Sequence, residues 1–169
     1  IEGGSPVRTE YLPFARPVIG DEEIEEVIAT LRSGWLTVGP RTRKFERIVA
    51  DYLGLAQTAA VSSCTAGLHL AMACLGVGPG DEVVLPALNF AAAPNMVIHL
   101  GASPVLVDVD RETLNVTPEA LEAATTERTR LYVPVHFGGR PCDIADIVEL
   151  AESRGLSVLG DAAHAIGAD

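Results

Sequence analysis

Hydrophobic patterning changes near Gly54. Before it, apolar positions recur with helical spacing. Ile24, Val27, Ile28 and Leu31 fall at i, i+3, i+4 and i+7 behind the acidic run Asp21-Glu22-Glu23, which favours a helix N-terminus, and Gly34 ends that helix. Phe45, Ile48, Val49 and Tyr52 mark a second amphipathic helix that stops at Gly54, and the apolar loop Trp35-Leu36-Thr37-Val38-Gly39-Pro40 joins the two. After Gly54, short apolar runs alternate with helical segments. They predict strands over 58–62, 82–85, 104–107, 131–135 and 156–160, and helices over 65–75, 90–100 and 143–154. A further helix starts at Thr117-Pro118, with Thr suited to the N-cap and Pro to the first helical position. The alternation predicts an α/β fold, a largely parallel sheet with helices on both faces, preceded by an N-terminal helical arm. The expected divisions are a flexible leader or tag remnant over 1–11, the arm over 12–54 and the α/β domain over 55–169.

Composition narrows the class. A length of 169 residues with 48% apolar content is enough for one packed core and excludes a disordered or fibrous chain. No apolar run approaches the ~20 residues needed to cross a bilayer, and Ile1 to Pro6 lacks the features of a signal peptide, so a cytoplasmic protein is expected. The net charge of -11 and pI near 4.7 argue against nucleic-acid or anionic-membrane partners. Any bound anion must be held locally, by amides. Cys64, Cys74 and Cys142 are odd in number and lack CxxC spacing, which points to buried or incidental thiols and to no metal site. Eleven of the twelve basic residues are arginine; Lys44 is the single lysine and falls on the solvated face of the second helix.

Several stretches carry candidate chemistry. Ser62-Ser63-Cys64-Thr65-Ala66-Gly67 lies where a strand gives way to a helix, so its small residues and free amides suit a phosphate, or Ser63 or Thr65 merely caps the helix. Phe90 follows the next strand, placed either to stack on a planar ligand or to join the core. His69, His99 and His136 lie in apolar segments without ligand spacing and are expected to be structural. Trp35 either lines a pocket or anchors the arm. Asp161 ends the last apolar run, at the sheet edge where open α/β folds collect ligands. A carboxylate there needs a partner, and a protonated heterocyclic nitrogen such as the pyridinium of pyridoxal phosphate is one; a helix-capping role is the alternative. His164, three residues on, is placed to orient that carboxylate or to lie against a ring.

Taken in order, the motifs Leu12-Pro13-Phe14-Ala15-Arg16-Pro17, Ser33 to Pro40, Ser63-Cys64-Thr65-Ala66-Gly67-Leu68-His69, Gly80-Asp81-Glu82-Val83, Val107-Asp108-Val109-Asp110, Pro134-Val135-His136-Phe137-Gly138-Gly139 and Asp161-Ala162-Ala163-His164-Ala165 resemble the DegT/StrS-type nucleotide-sugar aminotransferases. Within that family the arrangement looks most like the branch that makes UDP-4-amino-4-deoxy-L-arabinose. The resemblance implies the fold of the aspartate aminotransferase large domain, incomplete here, and pyridoxal 5'-phosphate as cofactor. It implies that Thr65 and Ala66 hold the cofactor phosphate, Phe90 stacks on the ring, Asp161 pairs with its nitrogen and His164 lies beside it. The Trp35 to Pro40 loop would approach the active site of a homodimer. The implied substrates are a keto nucleotide-sugar and an amino acid, commonly glutamate. Position 90 is Phe where the nearest relatives carry Trp, and position 160 is Gly where an acid usually precedes the aspartate. The resemblance also implies that the Schiff-base lysine lies beyond Asp169, so that the chain alone holds no catalytic nucleophile and is inactive. A dehydratase branch of the family, with histidine in place of that lysine, and a noncatalytic binding or assembly module are the alternatives.

Overall fold

The computed structural model describes Gly4, residues 8–13 and residues 16–168. Phe14 and Ala15 of the first motif, and most of the leader, lie outside the described residues. The described residues form two compact units, one ending at Ala60 and the other beginning at Val61.

The first unit holds α1 (Asp21–Arg32) and α2 (Pro40–Leu53). The Gly20 amide at the start of α1 donates to the Glu23 carboxylate at 2.6 Å, and Pro40 opens α2 at a position where its missing N–H costs nothing. Trp35 closes the connection between them: its indole N–H donates to the Val38 carbonyl at 3.0 Å. Its ring lies so close over Gly39 that a Cβ there would run into the indole, which explains the glycine. No residue of α1 is buried, and only Ala50 of α2 is.

The strand expected over 58–62 does not form. The Thr58 hydroxyl donates to the Glu46 carbonyl at 2.6 Å and the Ala60 amide to the Glu46 carboxylate at 2.9 Å, so this stretch spends its polar groups on α2. Among the described residues no strand lies alongside to offer a ladder, and a short apolar run without one has no reason to be a strand.

The second unit is the α/β body. Its strands are β1 (Glu82–Pro86), β2 (Ser103–Val107), β3 (Thr129–Tyr132) and β4 (Ser157–Val158), all parallel in the order β2-β1-β3-β4. Its helices are α3 (Cys64–Cys74), α4 (Ala92–His99), α5 (Pro118–Ala123) and α6 (Ile144–Ser153). Alternation along the strands sorts the core into two layers. Val83, Leu85, Leu131 and Val133 pack with Leu68 and Met72 of α3 and Ala93 and Val97 of α4. Val84 and Tyr132 face the other way, onto Leu121 of α5 and Ile147 and Ala151 of α6. Parallel strands buried on both faces read as continuous apolar runs, which is why they were legible. The chain passes from β1 to β2 on one side and then returns to place β3 on the other, making a topological switch point at the carboxyl ends of β1 and β3. Beyond β4 the pairing continues only as a single parallel bridge between Val135 and Asp161. None of the helices among the described residues is long and apolar enough to cross a membrane.

Candidate functional site

A cavity of about 310 Å³ opens at the carboxyl edge of the sheet, where open α/β sheets place ligands. Four short segments build it: the N-terminus of α3, the turn after β1, the extension of β3 and the turn after β4. Thr65, Phe90, Asp161 and His164 all line it. Residues 65 and 161 thus line one cavity although 96 positions separate them in sequence. Ala66 does not line it, and its amide donates to the Ser63 hydroxyl at 3.1 Å. Ser63 is therefore the cap of α3, and Thr65 is left facing the cavity. Among the described residues, the Cys64 and Thr65 amides donate to no protein acceptor, so the first turn of α3 keeps donors free.

Phe90 is not a core residue. It precedes α4 and is 78% exposed, an unusual position for an aromatic ring on the wall of an apolar cavity. Asp161, also on the cavity wall, is only 8% exposed. Its backbone is clamped by strand-like bonds: the amide donates to the Pro134 carbonyl at 2.8 Å and the carbonyl accepts from the His136 amide at 3.0 Å. Its side chain turns back rather than capping a helix. Oδ1 accepts from the Ala163 amide at 3.1 Å and from the Cys64 thiol, whose sulfur lies 3.8 Å away. Among the described residues no cation pairs with it.

The other buried acid shows what a structural carboxylate looks like in this fold. Glu82, 6% exposed, accepts from the Thr126 hydroxyl at 2.5 Å and from the Arg128 guanidinium. A buried carboxylate with no cation beside it among the described residues is costly, which sets Asp161 apart from Glu82.

The structure brings His136 and Cys64 to this site and places buried Asn115 behind one of its edges. His136 was expected to be structural, and its Nδ1 does accept from the Cys142 amide at 3.1 Å, which leaves the neutral ring's proton on Nε2; yet the ring also lines the cavity. A Cβ at position 160 would stand in ordinary contact with that Nε2, 3.4 Å away. Cys64, expected to be buried or incidental, is exposed on the cavity wall. Its thiol pKa is raised, first by partial burial and then by the Asp161 carboxylate beside it. Asn115 is 4% exposed and belongs to none of the motifs, but its amide donates to the Arg140 and Pro141 carbonyls at 3.0 Å while its oxygen accepts from the Phe137 amide at 3.0 Å. It pins the 137–141 loop that forms one rim. His69 and His99 lie away from the cavity in edge-to-face contact, ring centroids 5.2 Å apart. Lys44 is exposed on α2 and lines no part of the cavity.

Residues 17–169 match the DegT/DnrJ/EryC1/StrS aminotransferase family. The chain belongs to this family. The spore coat polysaccharide biosynthesis protein SpsC of Bacillus subtilis is 51% identical over 94% of the chain and 41% of its own length. The structure superposes on the aminotransferase TlmJ of Streptoalloteichus hindustanus with a TM-score of 0.86 at 45% identity, covering 89% of this chain and 42% of that one. It superposes on the PLP form of Spr1654 of Streptococcus pneumoniae with a TM-score of 0.87 at 37% identity, covering 92% and 44%. Spr1654 is also solved in PMP and apo forms. The chain spans about two fifths of the length of the curated relatives it matches. For a DegT/DnrJ/EryC1/StrS member, the cavity at the carboxyl edge of the sheet lies where the topology alone would put a ligand.

Proposed function

We propose that this chain forms the cofactor-holding part of a pyridoxal-phosphate-dependent aminotransferase that moves an amino group from an amino acid to a keto nucleotide-sugar. The observation that carries this reading is Asp161, a buried carboxylate on the cavity wall with which no cation pairs among the described residues. The residues present fit the cofactor's chemistry. The free amides at the start of α3 and the Thr65 hydroxyl suit its phosphate, the exposed face of Phe90 suits an aromatic ring, and Asp161 suits a protonated ring nitrogen. Ala66 contributes by letting the backbone close in rather than by its amide, which Ser63 already occupies.

When bound, the cofactor supplies an electron sink for bonds broken at the substrate carbon. The protein's part is positional. Asp161 holds a proton on the ring nitrogen, Phe90 covers one face, and the Asn115-pinned loop with His136 and Gly138 keeps the rim in place. His164 lines the same wall and is assigned a place beside the ring.

The test is nitrogen transfer. With ¹⁵N-glutamate and a panel of keto nucleotide-sugars, the enzyme is expected to yield a ¹⁵N-labelled amino sugar by mass spectrometry. Loss of a sugar hydroxyl without label would sink the transaminase reading in favour of dehydration.

The same reading makes the protein a cytoplasmic homodimer. Three thiols, none of them paired, suit a reducing compartment. Ile24, Val27 and Leu31 of α1 and Phe45, Ile48 and Tyr52 of α2 are each between 48% and 65% exposed, an amount of apolar surface that suits a second copy as its cover. Sedimentation equilibrium should give twice the chain mass; a monomer that retains cofactor binding at micromolar concentration rules the dimer out.

A further inference from the structure

Asp161 can serve a ligand only if the right oxygen faces it, and the structure shows how the carboxylate is oriented. Two donors converge on Oδ1: the Ala163 amide from the turn after β4, and the Cys64 thiol from the first residue of α3. Among the described residues nothing donates to Oδ2. The Ala163 contact is local, two residues along the chain, and fixes the carboxylate only relative to its own turn. The Cys64 contact spans 97 positions and ties the carboxylate to α3, the element whose amides face the same cavity.

We propose that Cys64 is a positioning residue for Asp161: its S–H holds Oδ1 against the start of α3, so that Oδ2 is presented to a cationic ring whose anionic end sits at the same helix. This rests on the pyridoxal-phosphate reading above. The distance between the two ends of the ligand's seat is then set by one side-chain contact, and residue 64 acts on the ligand only through Asp161. The raised thiol pKa agrees with the geometry, because a carboxylate touching a thiol opposes its ionisation after partial burial has done so. The thiol is therefore kept protonated and able to donate. The other titratable groups on the cavity wall are His136 and His164.

Two measurements test this. In cofactor-free protein, the pH profile of iodoacetamide alkylation at Cys64, resolved by peptide mass spectrometry with exposed Cys74 as internal reference, should move to lower pH in D161N. In the second, pyridoxal phosphate is titrated into wild-type, C64A and C64S proteins, with absorbance following ring-nitrogen protonation. C64A should bind about three- to tenfold more weakly, with ring-nitrogen deprotonation shifted to lower pH, while C64S, which keeps a donor, should stay within about twofold of wild type. Residue 64 is exposed, so both variants should fold, which circular dichroism verifies. A Cys64 profile unmoved in D161N, or C64S weakened as far as C64A, overturns the positioning role alone. Wild-type protein that binds no pyridoxal phosphate overturns the cofactor reading and this proposal with it.

Discussion

Replacing Asp161 by asparagine should weaken pyridoxal phosphate binding by one to two orders of magnitude while leaving the cofactor-free protein as stable as wild type or slightly more so. The two effects have opposite signs for one reason. A hydrogen bond to a charged group contributes about 1.5–3 kcal/mol, and that is lost when the ring nitrogen faces a neutral amide. In the free protein the carboxylate is 8% exposed with no cation beside it among the described residues, so its desolvation is uncompensated until a ligand arrives. Asparagine keeps the side-chain oxygen that accepts from the Ala163 amide, so the turn after β4 survives and the charge alone is removed. The alanine variant would also lose that bond, adding about 1 kcal/mol of destabilisation that asparagine avoids. Urea denaturation of both cofactor-free variants, set beside fluorescence titration of the cofactor, separates the two effects. Equal losses of stability and affinity in D161N would show a structural acid, and the assignment of a ligand partner would fall.

The parts of this fold that could be read from the sequence are those fixed by local periodicity. The apolar runs that predict strands over 82–85 and 131–135 and the helical spacing over 143–154 reflect layers packed around the central strands, and each pattern repeats within a few residues. The segment 58–62 shows the limit of this approach. It has the composition of a strand, but composition does not supply a neighbouring strand, and Glu46 takes its polar groups instead. The site divides the same way. Thr65, Phe90 and Asp161 announce themselves because each follows an element boundary at the ligand-binding edge of the sheet. Asn115 does not, because a buried asparagine bonding 22 to 26 residues away leaves no local pattern. Cys64 leaves no signal either, because an isolated thiol has no spacing to recognise; only the folded chain brings its sulfur 3.8 Å from Asp161.

Gly139 leads to the second large effect, and its neighbour provides the control. Both glycines of Phe137-Gly138-Gly139 have positive φ, 61° at Gly138 and 87° at Gly139, so alanine at either position takes on backbone strain of about 1 kcal/mol or more. Their surroundings differ. A Cβ at Gly138 meets nothing within 4 Å, whereas a Cβ at Gly139 would stand 2.8 Å from the His164 carbonyl oxygen, a backbone atom with little freedom to retreat. Relief requires the 162–165 turn to move, and that turn carries both His164 and the Ala163 amide that holds Asp161. G139A should therefore lose about 3 kcal/mol, adding an overpacking cost to the strain, against about 1 kcal/mol for G138A. For a chain of this size that is a drop of roughly 6–12 °C in Tm against roughly 2–4 °C. The pyridoxal phosphate that G139A still binds below its Tm should be held at least about tenfold more weakly than by wild type, because a small misplacement of a ligand-positioning group is amplified in affinity. Matching Tm losses in the two variants would mean that the turn yields freely, and the close approach of Gly139 to His164 would then have no part in setting the site.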